Sequence, residues 1–266
     1  MKTPRIEAVQ PGRAASRGLT IVELLVAVTI SLLLIVVIAQ LFLGSRQTFA
    51  TTDDVSRMQE NIRFTQQLLI RTIHLAGYKS QPNSITGTVF AATPALAAVD
   101  GAGTNSDTLT IRYQGAGTGP TGAGADGSVV DCLGMRVNAG VMAINTYSIQ
   151  PGSNGRNALF CSNLPDMSGA RELVPDVENM QVRFGEDTDG DLTTNHYVAL
   201  PGVTNMANVL SVRVALLFST PSAGSKTVAD PVKTYDLNGV VLGPYPLDRR
   251  IRRPVTITIN LRNRTP

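Results

Sequence analysis

Three aspartates at alternate positions form the densest cluster of metal-ligating side chains in the sequence. Asp187, Asp189 and Asp191 lie in the stretch Asp-Thr-Asp-Gly-Asp, whose glycine allows a tight bend. Carboxylates spaced in this way can turn inward on a hard cation such as Ca²⁺, and Glu186 and the Asn195 amide could complete its shell. The loop is not an EF-hand, because its glycine falls too early and no Glu occupies the twelfth position. The alternative is a solvated acidic turn between two strands.

A catalytic function finds little support in the sequence. Neither histidine, His74 or His196, lies in a nucleophile motif, and neither G-x-S-x-G nor H-E-x-x-H occurs. The stretch 117–122 matches G-x-G-x-x-G by letter, but it contains a proline and opens no helix, so we expect a surface loop there. We therefore predict that the chain is not an enzyme and needs no cofactor, with calcium as the one candidate ion.

Glu23 is the one charged residue in an apolar run from Leu19 to Leu43. An ionised carboxylate inside a bilayer costs several kcal/mol unless it is paired or protonated. Glu23 lies about one helical turn after Leu19, so a free ammonium at Leu19 could pair with the Glu23 carboxylate of a neighbouring subunit. The alternative is an interfacial glutamate whose side chain reaches the headgroups. The residues alone leave both interpretations open.

The apolar run predicts a membrane-spanning helix. Its 25 residues would extend about 37 Å, against about 30 Å for the hydrocarbon layer. The preceding leader, Met1 to Gly18, is basic, which favours a cytoplasmic N-terminus and places the bulk of the chain outside. An ordinary signal peptide fits less well, because the run is too long and the small residue Gly18 lies before it.

The net charge of +3 comes from the leader, so the rest of the chain is neutral and gives no reason to expect nucleic-acid binding. A cluster of four arginines precedes the last predicted strand. It could contact anionic partners, DNA among them, but such a cluster more often pairs with acids of its own chain or of a neighbouring subunit. Its members are Arg249, Arg250, Arg252 and Arg253.

Helical periodicity continues beyond the apolar run. Apolar residues recur at spacings of three and four from Val55 to Ala76, and Phe64, Leu68 and Leu75 widen this stripe. Gly77 is the expected C-cap. We predict one helix from about Leu19 to Ala76, its second half packed under a globular domain.

From residue 79 onward, turn residues separate short β-prone runs. These predict an antiparallel sheet folded against the helix, and hence an α+β fold. The predicted strands are Asp107–Tyr113, Met142–Ile149, Ala158–Cys161, Met180–Phe184, Asn208–Ser219 and Val255–Leu261. The predicted long loops are Gly115–Gly127, Asp187–Asn195 and Thr220–Arg250.

The two cysteines, Cys132 and Cys161, lie in the part expected outside the cytoplasm. A disulfide between them would close a loop of about 30 residues and stabilise the domain by roughly 3 kcal/mol. The alternative is a pair of buried free thiols.

The stretch Gly18-Leu19-Thr20-Ile21-Val22-Glu23-Leu24 resembles the type III signal of type IV pilins and pseudopilins. The resemblance implies that prepilin peptidase cuts between Gly18 and Leu19, that Leu19 becomes N-methylated, and that Glu23 supports subunit docking. The family usually has Phe where this chain has Leu19. The implied fold is type IV pilin-like, with a long N-terminal helix packed on an antiparallel sheet.

Further stretches resemble the PilW type of minor pilin. They are Leu41–Thr48, Ser56–Asn61, Ala76–Tyr78, Val212–Leu217 and Leu261–Arg264. The resemblance divides the chain into a cleaved leader (1–18), a transmembrane and fibre-core half-helix (19–43), an amphipathic half-helix (44–77) and a β-rich head (78–266).

This resemblance implies a minor pilin that primes type IV pilus assembly in a tip complex and so supports twitching motility, adhesion or DNA uptake. Its implied partners are prepilin peptidase, other minor pilins, the major pilin, the inner-membrane assembly platform and membrane lipid, with no direct nucleic-acid contact. It would lie first in the bacterial inner membrane, with a periplasmic head, and then in the fibre. The alternatives are a minor pseudopilin of a type II secretion system and, from another class, a membrane-anchored secreted hydrolase.

Overall fold

The computed structural model describes residues 20–80, 94–117, 124–221, 233–245, 248 and 250–263. The chain divides into two compact units, Met1–Ala50 and Thr51–Pro266. The predicted leader, including Gly18, lies outside the described residues, as does Leu19. Most of the glycine-rich stretch 117–122 lies outside them as well.

The helix α1 runs from Ile21 to Leu75, 55 residues, close to the predicted 19–76. Gly44 does not interrupt it. After the helix ends, Gly77 takes a φ of +74°, in the left-handed region that favours glycine. Its N–H donates to the Arg112 carbonyl oxygen at 3.0 Å, and the Tyr78 N–H donates to the Leu75 carbonyl oxygen at 2.8 Å. The predicted C-cap at Gly77 is therefore confirmed.

Within the second unit, one face of α1 is buried, and its members are Met58, Thr65, Leu69, Thr72 and Ile73. Ala76, which directly follows the helix, is buried as well. Leu68 and Leu75 are half-buried and pack against this core, as predicted. Phe64 was predicted to widen the buried stripe, and that prediction is wrong, since its side chain is 50% exposed. Phe64 lies on the same side of the helix as Leu68 and Leu75, about 40° and 20° from them around its axis, so the core covers this side at those two residues but not at Phe64.

Eleven strands follow the helix in the described part of the chain, and every pairing between them is antiparallel. A five-stranded sheet has the order β1-β2-β3-β4-β5. Its strands are β1 (Leu96–Val99), β2 (Thr108–Gln114), β3 (Met142–Pro151), β4 (Asn157–Ser162) and β5 (Arg171–Pro175).

The remaining strands are β6 (Val177–Glu186), β7 (His196–Val198), β8 (Val209–Ser219), β9 (Tyr235–Leu237), β10 (Val240–Leu242) and β11 (Arg252–Asn260). Four of them form a second sheet in the order β11-β8-β6-β7, and β9 pairs with β10 alone. Two short 3₁₀ helices, Leu200–Gly202 and Met206–Asn208, connect β7 to β8.

The α+β class and the antiparallel pairing are as predicted, and all six predicted strands are present. The structure differs in dividing the strands between two sheets and a hairpin. The interval Thr220–Arg250 was predicted as a loop, and this is wrong because it contains β9 and β10. Asn238 and Gly239 join these two strands with φ values of 54° and 87°, as a type I′ turn requires.

One hydrophobic core joins the buried face of α1 to both sheets. From β8 it receives Val212, Val214, Leu216 and Phe218, which alternate along the strand and therefore share one face. The opposite face of β8 contributes Ala215 and Leu217 to a smaller cluster with Leu237 and Leu242 of the hairpin. The β9–β10 hairpin thus covers the side of β8 that faces away from the main core.

Candidate functional site

The described part of α1 begins with a reciprocal pair of hydrogen bonds between Thr20 and Glu23. The Glu23 N–H donates to Thr20 Oγ1 at 3.2 Å, and the Thr20 N–H lies 3.5 Å from Glu23 Oε2. This is a capping box, in which two side chains satisfy backbone donors at the start of a helix. Its signature, a threonine followed three residues later by a glutamate before an apolar run, is present in the sequence but was not among the predictions.

The capping box gives the Glu23 carboxylate a partner within its own chain. The predicted pairing of Glu23 with the N-terminus of a neighbouring subunit would replace Thr20 by a charged ammonium group as the partner of the carboxylate. That pairing stays a prediction, as do cleavage between Gly18 and Leu19 and methylation of Leu19, since both residues lie outside the described part.

The apolar run of α1 is exposed throughout. Large hydrophobic side chains from Ile21 to Leu43 are each about half exposed or more. By length and composition this helix could cross a membrane, and the apolar window that qualifies it has no buried residue. A soluble protein would not leave so large an apolar surface in water. The surface is therefore consistent with anchoring in a membrane.

The predicted disulfide between Cys132 and Cys161 is present, with a Cα–Cα distance of 6.4 Å. Cys161 lies in β4 and is fully buried. The bond ties the segment before β3 to the five-stranded sheet.

Hydrogen bonds reinforce this tie. The Cys132 N–H donates to Asn145 Oδ1 at 2.6 Å. Asp131 accepts the N–H groups of Leu133 and Met135 on one carboxylate oxygen and the Asn163 amide, at 3.1 Å, on the other. The disulfide and the buried Asp131 carboxylate therefore hold the same short segment.

The three aspartates of the acidic loop lie together in the structure. One carboxylate oxygen from each of Asp187, Asp189 and Asp191 lies within 4.8 Å of the others. Asp187 is buried and the other two are exposed. The loop between β6 and β7 is thus present as predicted, and its carboxylates converge.

Much of the acceptor capacity of this loop is already used inside the loop. Asp187 accepts the N–H groups of Gly190 at 2.7 Å and Leu192 at 3.0 Å, one on each oxygen. Burial is the largest single influence on Asp187 and opposes its ionisation, but these two hydrogen bonds and those with Asp189 together lower the pKa of the carboxyl. Asp191 accepts from the hydroxyl and the N–H of Thr193, and the hydroxyl bond contributes most to lowering its pKa.

The proposed outer ligands fit a cation less well than the aspartates do. Asn195 Oδ1 already accepts the Thr188 N–H at 2.7 Å, and the Asn195 amide donates to Asp189 Oδ2 at 3.2 Å. Glu186 does not join the loop, because its carboxylate binds Thr204 and Asn205 instead. The donor set that fits calcium is therefore limited to the three aspartates, and calcium binding stays a prediction.

Glu186, predicted only as an outer calcium ligand, is a fully buried carboxylate at the centre of a hydrogen-bonded cluster. It accepts the N–H groups of Thr204 and Asn205 and a short hydrogen bond from the Thr204 hydroxyl. His196 Nε2 lies 3.6 Å away. The pKa of Glu186 is lowered, chiefly by the Thr204 hydroxyl and against the effect of burial. This cluster fixes the connection between β7 and β8 to the end of β6.

Two of the three described members of the arginine cluster, Arg250 and Arg252, pair with acids of the chain, one of the two outcomes foreseen. The nearly buried Arg252 guanidinium lies 2.7 Å from Glu178 and 2.5 Å from Asp248, and it stacks 4.3 Å from the Tyr245 ring centre. Burial opposes the charge of Arg252, but the two carboxylates raise its pKa. Arg250 lies 4.0 Å from Asp248. Arg253 is exposed, and Arg249 lies outside the described residues.

Residues 146–263 match a family model described as PilW, Type IV Pilus-assembly protein W. The match runs from within β3 to just past β11, and over this part of the chain it confirms the PilW resemblance found in the sequence. Among solved structures, a type IV-like pilin from Thermus thermophilus is similar, with 17% identity and a TM-score of 0.41 over 78% of this chain and 96% of that chain. No curated protein matches the chain. The matched family is a structural, non-enzymatic protein type.

Proposed function

We propose that this chain, whose residues 146–263 match the PilW family of type IV pilus assembly, acts as a minor pilin in a complex that primes the pilus. The family match carries the proposal. The exposed apolar helix supports it, because a pilin subunit needs such a helix first in the bilayer and then among the helices of the fibre. The head contributes the folded domain that neighbouring pilins would contact.

Processing would release the start of the helix for assembly. Prepilin peptidase would cut between Gly18 and Leu19, so that Leu19 carries the new, methylated N-terminus. Glu23 then lies one helical turn away. In the isolated chain its carboxylate caps its own helix through Thr20. In the fibre it would pair with the N-terminal ammonium of an adjacent subunit, which offsets the cost of a carboxylate in an apolar environment.

The partners of this complex would be other minor pilins and the major pilin, assembled by an inner-membrane platform. The head would lie in the periplasm before assembly and near the pilus tip afterwards. By priming the fibre, the chain would support twitching motility, adhesion or DNA uptake.

The mass of the N-terminal peptide from membrane-extracted protein tests the proposal. We expect a peptide that begins at methylated Leu19, and only in cells that contain prepilin peptidase. An intact leader in both strains would contradict a pilin-type maturation.

A deletion strain tests the assembly role separately. Cells without the chain should carry fewer or no surface pili while type II secretion continues. Normal pili with impaired secretion would instead indicate a minor pseudopilin.

A further inference from the structure

The longest exposed sheet edge in the described part of the head belongs to β11. It pairs with β8 through all nine residues without a register shift. β11 is the last strand of its sheet, and no described residue pairs with its other side. Thr256, Thr258 and Asn260 are exposed.

Two hydrogen bonds show which backbone groups of β11 point outward. The Leu261 N–H donates to the Leu210 carbonyl oxygen, and the Thr220 N–H donates to the Ile251 carbonyl oxygen. In an antiparallel ladder the residues that bond to the partner alternate with residues whose N–H and C=O point away. Odd-numbered residues therefore face β8. The outward set is Arg252, Pro254, Thr256, Thr258 and Asn260.

Pro254 agrees with this assignment. Proline has no N–H to donate, and within sheets it is tolerated where that group would face away from the ladder. Beyond Pro254, three consecutive outward residues keep both their N–H and C=O groups. They are Thr256, Thr258 and Asn260, which together offer three donors and three acceptors to another strand.

The other sheet edges are protected in ways that residues 255–260 of β11 are not. β7 has three residues and β1 has four. β5 has five residues, carries Arg171 and Glu172, and pairs with β4 through a register shift. Shortness, charge and irregular pairing are the usual devices that prevent a sheet edge from adding a strand. The stretch 255–260 of β11 is regular, uncharged and mostly β-branched.

Charge at the ends of β11 indicates what would bind. The uncharged centre is bracketed by the exposed Arg253 and Arg262. A second copy of β11 would bring cationic ends together in either orientation, since both ends carry an arginine, and like charges on neighbouring strands are destabilising. A strand with acidic residues at its ends would be attracted instead.

We infer that β11 is an assembly edge that accepts an extended segment of another pilin subunit, uncharged and β-branched at its centre and acidic at its ends. The inference rests on the proposed function. The added strand would take its main-chain hydrogen bonds from Thr256, Thr258 and Asn260 and extend the four-stranded sheet.

Thr258→Pro tests the edge directly, because it removes an outward N–H without removing a backbone hydrogen bond to β8. It also loses the side-chain bond from Arg213 Nε to Thr258 Oγ1, which the control below loses as well. In the deletion strain this variant should restore about tenfold fewer pili than the wild-type gene, the ratio expected for the loss of about one hydrogen bond. Thr258→Val keeps the N–H and should restore pili. A folded Thr258→Pro chain that restores normal pili overturns the inference. A deletion that leaves pili unchanged overturns the proposed function and this inference with it.

Hydrogen exchange decides the question if Thr258→Pro fails to fold. The amides of Thr256, Thr258 and Asn260 should exchange rapidly in the detergent-extracted wild-type chain and at least about tenfold more slowly in sheared pili, since pairing with a strand protects an amide. The amides of Ile257 and Ile259, already bonded to β8, serve as internal controls. Equal exchange of the three outward amides in both samples overturns the inference.

Discussion

The Tyr147 hydroxyl of β3 lies 3.0 Å from the Thr72 hydroxyl of α1, in the core that joins the helix to the five-stranded sheet. Thr72 Oγ1 also donates to the Leu68 carbonyl oxygen at 2.8 Å. A threonine hydroxyl has one proton, so Tyr147 is the donor in the pair. Burial raises the pKa of Tyr147, which keeps that proton in place at all ordinary pH values.

This assignment predicts unequal costs for the two partners. Tyr147→Phe removes the donor and leaves Thr72 bonded to Leu68, so we expect a loss of about 1 kcal/mol in the free energy of unfolding. Thr72→Val leaves the buried Tyr147 hydroxyl without an acceptor and should cost about 2 kcal/mol. Denaturant unfolding of the detergent-solubilised chain measures both. A larger cost for Tyr147→Phe than for Thr72→Val would contradict the assigned direction.

Removal of the disulfide should destabilise the head. The Cys132→Ser, Cys161→Ser double variant should lose about 3 kcal/mol of unfolding free energy, because its unfolded chain is no longer restricted by a closed loop. Unfolding curves with and without reductant measure this. Reductant should weaken the wild-type head by a similar amount and leave the double variant unchanged. If the wild-type disulfide is fully reduced and the free energy of unfolding does not change, the expected contribution of the disulfide is contradicted.

Glu23→Ala should leave cleavage after Gly18 intact but reduce incorporation into pili, because the N-terminal ammonium of a neighbouring subunit loses its partner. Immunoblots of membranes and sheared pili measure both steps. Thr20→Ala is the matched control, since it removes the hydroxyl of the capping box and keeps the carboxylate. Thr20→Ala should be incorporated normally. An equal loss in both variants would point to helix capping instead of subunit docking.

The buried Glu186 should make the head sensitive to acid. Its folded pKa lies below the ordinary value of 4.5, so its contribution is fully present above that value and is lost as the pH falls through the folded pKa. The Glu186→Gln variant should be less stable near neutral pH and should depend less on pH in this acidic range. Unfolding curves from about pH 3, where ordinary carboxyls are largely protonated, to about pH 7, where they are ionised, measure the effect. Parallel curves for variant and wild type would contradict it.

Calcium should stabilise the head if the acidic loop binds it. At a concentration tenfold above the dissociation constant the gain is about 1.4 kcal/mol, visible as a higher thermal unfolding midpoint. Asp189→Asn should abolish this shift. Asp166→Asn is a matched control, because Asp166 is an exposed aspartate that bonds the hydroxyl and N–H of a nearby serine outside the loop. No shift in the wild-type chain at millimolar calcium would mean that the loop is only a hydrogen-bonded turn.

The sequence predicted the features that depend on periodicity. The apolar run, the amphipathic stripe and the alternating strands each repeat over many residues, so single exceptions do not hide them. Phe64 was wrongly predicted to be buried because residue spacings of three and four identify the centre of a buried helix face but do not define its edges. The core covers that side of α1 at Leu68 and Leu75 but not at Phe64, and this depends on where the sheets pack.

Other features were missed for different reasons. The β9–β10 hairpin has strands of three residues, too short for a periodic signal, although Asn238-Gly239 is a strong turn sequence. The Glu186 cluster depends on Thr204 and Asn205, which lie 18 and 19 residues further along the chain. No local sequence pattern predicts a contact between residues so far apart in the chain. The convergence of the acidic loop could be predicted, because alternate residues of one tight turn are neighbours.

The core that fixes α1 to both sheets has a mechanical consequence. Its buried helical members, from Met58 to Ile73, extend over about 22 Å of helix at 1.5 Å per residue. A force applied along the axis of α1 at its apolar end would act on all of these contacts at the same time, in shear. It would not separate them one after another. The Cys132–Cys161 bond would resist extension of the strand that carries Cys161. Tension transmitted along the helix would therefore be shared by the whole head.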